Sequence, residues 1–227
     1  MRTPQTLFLL GYLPNIVGVF FYSIELLIGA RSAADAALTA RLAQFEAELG
    51  ERRGNTIANV RRLTTLLAEA GIPAGEPPRV PAEYHDYRAE VCERVTAHLE
   101  PNSLGDVAFL LGWVLGDACL TLNLLSISSH FLAIEPDNSF LQSQLAPLKQ
   151  SLAELVPRLE ALSVHPALSA PAQLEARLSH AVLQSAVERP APEPRAEALQ
   201  QEAKASEQLL SALAQQTQAL ENAIASM

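Results

Sequence analysis

The chain has 227 residues and a formal net charge of −9 at pH 7, from 16 basic and 25 acidic side chains. This length fits one large domain, or one domain with an appended element. The negative charge argues against a nucleic-acid partner, because proteins that bind nucleic acids non-specifically carry a basic surface. Alanine and leucine dominate and β-branched runs are scarce, which indicates an all-α protein. The apolar and heptad patterns predict a bundle of about six to eight helices, with two strongly apolar central helices and heptad-patterned outer helices.

The first predicted helix is an apolar segment that carries no charge from Thr6 to Ile24. It approaches the ~20 apolar residues that span a bilayer, so residues 6–28 are a candidate transmembrane helix. Pro14, Asn15 and Glu25 argue against simple exposure of this helix to lipid. Small and polar residues share one helical face, which we call the N-terminal seam: Gly11, Asn15, Gly18, Tyr22, Glu25 and Gly29.

Two further helices are predicted before the middle of the chain. Residues 32–70 form one long helix or two stacked ones, with Ser32 as the N-cap and Gly71 just beyond the end. Prolines are concentrated in residues 72–81, which predicts a surface loop inside the same domain. An amphipathic helix is expected over residues 82–100.

The most apolar segment, from Ser103 to Leu132, is predicted to be a central helix with Ser103 as its N-cap. Bulky apolar side chains cover most of its surface, and such a helix must be shielded from water by protein or lipid. Residues 107–132 are therefore a second candidate transmembrane helix. Small and polar residues again share one face, which we call the central seam: Gly105, Gly112, Gly116, Cys119, Asn123, Ser126 and His130.

Small residues on one helix allow the backbone of another helix to approach closely. We therefore expect the two seams to face each other, or to face the same seams in a second copy of the chain. In that arrangement Asn15, Glu25, Asn123 and His130 would satisfy one another's hydrogen-bonding groups. The pattern is equally typical of a helix pair in a membrane and of the middle of a water-soluble bundle.

A leucine heptad follows the central helix, at Leu141, Leu145, Leu148, Leu152, Leu155, Leu159 and Leu162. Pro147 and Pro157 interrupt it, and an interior proline costs a helix ~3 kcal/mol. We therefore expect a helix that is kinked twice or broken.

The last part of the 1–188 bundle is predicted to be a helix from Pro171 to about Val187 that buries Leu174, Leu178 and Val182. Residues 189–195 are rich in proline and predict a linker.

Residues 196–227 predict a single amphipathic, coiled-coil-like helix with a thin apolar stripe. A helix rich in alanine and glutamine gains little stability alone, so we expect it to dock on a neighbouring helix or a second chain. The residues assigned to an oligomer or partner surface are Leu199, Leu210, Leu213, Leu220 and Ile224.

The sequence contains no phosphate-binding glycine loop, nucleophile elbow or HExxH motif. The Glu–His pairs are spaced five residues apart, which places the two side chains on different helical faces and argues against a metal site. We therefore expect no catalytic residue, metal or cofactor. Asp117 is either a solvated acid or the partner of Arg52, Arg53, Arg61 or Arg62.

The expected function is that of a non-enzymatic interaction, scaffold or regulatory protein, which acts through helix–helix contacts as a cytoplasmic homo-oligomer or with a protein partner. One alternative is a membrane protein with spanning helices at about residues 6–28 and 107–132. A second alternative is a small-ligand carrier or an enzyme that uses the interior around Asn123 and His130, where the central seam is most polar.

Overall fold

The computed structural model describes residues 3–31, 35–73, 79–96 and 103–227. Within these ranges the chain forms seven helices and no strand, which confirms the predicted all-α bundle. The helices are α1 (Pro4–Ala30), α2 (Ala36–Glu69), α3 (Pro81–Thr96), α4 (Leu104–Leu132), α5 (Ser139–Ser163), α6 (Ala170–Val187) and α7 (Ala196–Ala225). The proposed N-cap Ser32 and much of the 72–81 loop lie outside the described residues.

Helix α4 is the centre of the bundle. It packs against α1, α5 and α7 and touches α6, and 20 of its 29 residues are buried. Its N-cap is Ser103, as the sequence predicts: the Ser103 hydroxyl accepts a hydrogen bond from the Asp106 amide at 3.1 Å. The largely apolar surface of α4 is thus covered by neighbouring helices on most sides.

Helices α1 and α4 run parallel, since Leu7 lies against Gly105 and Asn15 against Gly116. Their backbones touch at three glycines. A side chain at Gly11 would overlap the Phe109 carbonyl, and one at Gly112 would overlap the Phe8 carbonyl. At Gly116 an added Cβ would lie 2.8 Å from the Tyr12 carbonyl oxygen. Glycine is therefore required at these positions by the close approach of the two backbones.

The same two helices are long and apolar enough to cross a membrane. In the bundle, 67% of the most apolar window of α1 and 72% of that of α4 are buried by other parts of the chain. Pro14 lies inside α1 without ending it.

Helix α2 is a single helix of 34 residues rather than two stacked ones. Its N-cap is Asp35, whose side chain accepts a hydrogen bond from the Leu38 amide at 2.7 Å. At the C-terminus Gly71 adopts a φ of 72°, and the Ile72 amide bonds back to the Leu67 carbonyl at 2.8 Å. This is a Schellman motif, so Gly71 ends the helix as expected.

The buried residues of α2 lie toward its two ends. Its first half buries Leu38, Leu42, Phe45 and Leu49, and its last turns bury Leu63, Leu66 and Leu67. Residues 50–59 between them are exposed or only partly buried. The helix therefore crosses the surface of the bundle and is anchored by buried side chains toward both ends.

Helices α5 and α6 differ from expectation. Helix α5 continues through both Pro147 and Pro157, so of the two expected forms, kinked twice or broken, the broken helix was wrong. Packing of its leucines on α4 and α6 opposes the local cost of the prolines. Helix α6 buries the face with Ala172, Ala176, Ser179, Leu183 and Ala186. The burial predicted for Leu174 and Leu178 was wrong, since both are exposed. The alanines on this face allow α6 to lie close to α5 and α7. Apolar periodicity alone does not predict that the alanine face is the buried one.

Helix α7 packs within the bundle, against α4 and α6. Of the five residues assigned to a partner surface, Leu199, Leu213, Leu220 and Ile224 are buried inside the chain, and Leu210 is partly buried. The stripe is therefore used internally in this structure, because α4 needs a cover on that side.

We predict that Gly112→Ala lowers the free energy of unfolding by about 1–3 kcal/mol, because the new methyl group forces the α1 and α4 backbones apart. The matched control is Gly54→Ala in the middle of α2, where an added Cβ meets no atom within 4 Å. This control should leave stability unchanged or raise it by up to ~1 kcal/mol, since alanine is the better helix former. Urea unfolding followed by circular dichroism measures both. Equal stability of the two variants would contradict the close backbone contact.

Candidate functional site

A cleft lies beneath the exposed middle of α2. It consists of two adjacent cavities of about 310 and 250 Å³, walled by α1, α2, α4 and α7. Both cavities are lined by Arg52, Asn123 and Leu210, which form their junction. Pockets for small ligands typically measure roughly 300–1,000 Å³, so the two cavities together fall within this range.

The cleft opens where the glycine contacts between α1 and α4 end. The last of these contacts joins Gly116 to Tyr12 and Asn15. The next residues on the facing sides, Ile16 and Cys119, already line the smaller cavity. The side chains that follow on both helices thus line a space that α2 and α7 flank.

The larger cavity, which we call the polar cavity, contains the charged groups. Arg41 of α2 donates from Nε to the Nε2 atom of His130 at 2.7 Å, and its Nη1 lies 3.9 Å from Glu48. On the opposite wall the Ser126 hydroxyl donates to the Ala203 carbonyl at 3.1 Å and lies 3.4 Å from Glu207. Both carboxylates that line this cavity therefore already have polar neighbours.

The Arg41–His130 contact defines the protonation state of the histidine. Nε2 accepts the hydrogen bond only in the neutral ring, so the proton of the imidazole lies on Nδ1. Burial lowers the pKa of His130 and the positive charge of Arg41 lowers it further, although Glu207 and Glu48 act in the opposite direction. His130 is therefore neutral at pH 7 and acts as an acceptor for Arg41.

The smaller cavity, which we call the apolar cavity, has one apolar and one polar wall. Helix α1 contributes Ile16, Val19 and Phe20, and α2 contributes Asn55, Thr56 and Asn59 above them. Cys119 lies in the floor, where burial raises the pKa of its thiol to about 12. A thiol with that pKa is protonated at neutral pH and is a poor nucleophile.

Two lining residues carry buried polar atoms that have no partner in the chain. The Ser23 hydroxyl, on a residue that is 1% exposed, lines the apolar cavity without a hydrogen bond. The Nδ2 atom of Asn123 is likewise buried and unbonded at the junction. An unpaired buried donor costs ~1–3 kcal/mol, so such groups call for an explanation.

The structure distributes the N-terminal seam among several helices. Gly11 and Asn15 face α4, and Asn15 donates from Nδ2 to the Trp113 carbonyl at 3.2 Å. Gly18 instead makes room for Tyr84 of α3, and Gly29 for Phe140 of α5. Glu25 lies 3.7 Å from His85 of α3.

The central seam is divided in the same way. Gly105, Gly112 and Gly116 face α1, whereas Ser126 faces α7 and His130 faces α2. Cys119 and Asn123 lie between these groups and line the cleft. The expectation that Asn15, Glu25, Asn123 and His130 satisfy one another was therefore wrong. A helix turns about 100° per residue with a 3.6-residue repeat, so a four-three pattern drifts slowly around it and meets different neighbours along its length.

A second polar cluster joins α3 to the bundle on another side. Asp117 forms an ion pair with Arg88 at 2.9 Å, and the Arg88 guanidinium stacks 4.5 Å from the centre of the Trp113 ring. Burial raises the pKa of Asp117, and Arg88 opposes that rise. The candidates Arg52, Arg53, Arg61 and Arg62 were therefore wrong as partners of Asp117. Only the position of α3 brings Arg88 to this carboxylate, and no local pattern reports it.

Sequence reasoning named Asn123, Ser126, His130 and Cys119 in the cleft but missed Arg41, Arg52 and Ser23. The one local signal lies around Arg52, where Gly50 and Gly54 stand inside a helical pattern. Interior glycines weaken a helix, and here neither approaches another atom closely enough to require glycine for packing.

Within the described residues, no three His, Cys, Asp or Glu side chains form a group that would hold a metal ion. Comparison of the chain with protein-family models, with curated proteins and with solved structures finds no significant match.

We predict that Asn123→Leu raises the free energy of unfolding by about 1 kcal/mol in the absence of ligand, because it removes an unpaired buried donor. Asn138→Leu is the matched control. Asn138 is buried and caps α5 by accepting from the Leu141 amide at 3.1 Å, so its loss should destabilise by about 1–2 kcal/mol. Urea unfolding distinguishes the two. A destabilised Asn123→Leu variant would indicate that Asn123 has a structural role instead.

Proposed function

We propose that this protein is a non-enzymatic binding protein that holds a small amphipathic molecule in the cleft beneath α2. The observation that carries the proposal is the cleft itself, in which a cavity lined by charged groups joins a cavity lined by Ile16, Val19 and Phe20. Such a lining fits a molecule with a polar end and an apolar body.

The shape of α2 supports a binding role. Its two ends are anchored by buried leucines, and its middle, with Gly50 and Gly54, covers the cleft without tight packing. A segment with few buried contacts opens at low free-energy cost, which offers a route for entry and release. The rest of the bundle can stay folded during such an opening.

The chemistry of the lining favours binding over catalysis. The Cys119 thiol is protonated at neutral pH, and the His130 Nε2 atom is occupied by Arg41. A nucleophile or general base needs the opposite, a lowered thiol pKa or a free imidazole nitrogen beside the reacting group. The contacts of Cys119 and His130 place polar groups in the lining of the cleft without making either group a stronger nucleophile or base.

The interaction role expected from the sequence relied on the apolar stripe of α7. Since most of that stripe packs inside the chain, we propose ligand binding ahead of a scaffold function. Association with a protein partner or a second copy stays a prediction. The exposed side chains of Leu174 and Leu178 on α6 are candidates for such a contact.

We further propose that α1 and α4 are the core helices of a water-soluble cytoplasmic protein, with membrane insertion as the alternative. The burial of both apolar windows by other helices supports the soluble form. So do Asn15 and Ser126, which bond to protein groups inside the bundle at 3.2 and 3.1 Å.

The binding proposal predicts that the full-length protein enhances the fluorescence of N-phenyl-1-naphthylamine, a neutral amphipathic probe, with saturation at one site. Asn123→Phe should abolish the enhancement, because an aromatic ring at the junction fills the space shared by both cavities. Leu174→Phe on the exposed face of α6 is the control and should bind like the wild type. Probe binding by a well-folded Asn123→Phe variant, checked by thermal melting, would refute the cleft as the site.

The solubility proposal predicts that most of the protein, expressed without detergent, stays in the supernatant after high-speed centrifugation. Light scattering on that fraction then gives its mass, which also tests the expected oligomer. Protein that pellets with membranes and resists a carbonate wash would instead support two spanning helices.

A further inference from the structure

We propose that α2 is a pH-sensitive cover of the cleft: the hydrogen bond from Arg41 to His130 holds α2 to α4 at neutral pH and breaks when His130 takes up a proton. This inference rests on the proposed entry route beneath α2, and it assigns a regulation to that route. Acidic conditions are the signal that opens the cleft.

The first argument is the position of this hydrogen bond in the fold. Helix α2 packs mainly against α1. Within the described residues, the 2.7 Å contact from Arg41 Nε to His130 Nε2 is the one hydrogen bond that joins α2 to α4. Beside it the rings of Phe45 and Phe131 meet edge to face, with 5.3 Å between their centres. All four residues line the polar cavity, so the contact that holds α2 here is also part of the cleft wall.

The second argument is the chemistry of the hydrogen bond. A guanidinium donates hydrogen bonds and cannot accept them, so the Nε2 atom of His130 must offer a lone pair to Arg41. A proton on Nε2 removes that lone pair and leaves two cations in contact. Attraction between α2 and α4 at this point is thereby replaced by repulsion. The aromatic contact beside it does not titrate, so the opening that follows is local to this part of α2.

The third argument is that the neighbouring carboxylates give each cation another partner. Arg41 Nη1 already lies 3.9 Å from Glu48, and both residues belong to α2. The charges that act on the imidazole are those of Arg41 and Glu48 of α2 and Glu207 of α7, and Arg52 of α2 lines the same cavity. Of the two carboxylates, Glu207 acts more strongly on His130. After protonation the polar pairs therefore lie within α2 and between α4 and α7.

The surroundings of His130 set the pH range of the change. Burial lowers its pKa below the usual value of about 6.5, and the positive charge of Arg41 lowers the pKa further. Opening exposes the imidazole to water and removes Arg41, so the open state binds a proton more tightly than the closed state. The stability of the closed state is therefore fully present above about pH 6.5 and decreases as the pH falls through the lower pKa of the closed protein.

The test is hydrogen exchange of the full-length, ligand-free protein at pH 7.5 and 5.0, followed by mass spectrometry and corrected for the intrinsic exchange rate at each pH. We expect residues 39–56 of α2 to lose roughly tenfold in protection at pH 5.0, because a hydrogen bond to a charged group is lost. In His130→Gln an amide oxygen can accept from Arg41 at every pH, so this pH dependence should disappear. His180→Gln on α6 is the matched control and should behave like the wild type, since His180 lines neither cavity.

A second measurement tests the pair itself. Titration of His130 followed by NMR should give a pKa below about 6.5 in the wild type. Arg41→Gln should raise that pKa, because the neighbouring positive charge is gone. An unchanged pKa in Arg41→Gln would overturn the pairing on which the inference depends.

The remaining outcomes separate this inference from the binding proposal. Equal losses of protection in the wild type and in His130→Gln would assign the pH dependence to another group and refute the inference. A wild-type α2 that stays protected while His130 titrates would also refute it. Loss of protection that depends on His130, without binding of N-phenyl-1-naphthylamine at either pH, would support the pH-sensitive cover and refute only the binding function.

Discussion

The close parallel contact between α1 and α4 is the constraint on which the rest of the structure depends. Backbone atoms of the two helices touch at Gly11, Gly112 and Gly116, although about half of the chain separates Gly11 from the other two glycines. A parallel pair requires a connection that returns along the bundle, and α2 and α3 supply it. Because apolar side chains cover most of the surface of α4, α5 and α7 must then cover the faces that α1 leaves open.

The cleft is a consequence of the same contact. The backbone contacts end at Gly116, and the side chains that follow, such as Ile16 and Cys119, line the cleft. The space that results is closed by α7 on one side and by the middle of α2 above. Its polar groups come from four helices, so the arrangement exists only in the folded chain. The exposed middle of α2 and the unpaired Nδ2 atom of Asn123 are features that packing alone does not explain.

The sequence predicts the helices more reliably than their neighbours. Apolar periodicity, the Ser103 cap and Gly71 locate the elements, because these signals act within one helix. The partners of Asp117, Glu25 and His130 could not be predicted, since each pairs with a residue of another helix whose placement depends on the whole fold. The continuous α5 and the alanine face that α6 buries show how tertiary packing overrides local cost and local pattern. The cleft residues on α4 could be predicted from the sequence, whereas the roles of Arg41 and Arg52 in the cleft could not.

The burial of α4 on nearly all sides has a consequence for how this protein can change over evolutionary time. A substitution on the exposed face of an outer helix, for example at Leu174 of α6, meets few neighbours and can be accepted alone. A substitution in α4 meets side chains of up to four other helices, so it must be accompanied by changes in distant parts of the chain. The 29 residues of α4 are therefore the segment in which related chains should diverge most slowly, and the segment by which distant relatives would be recognised.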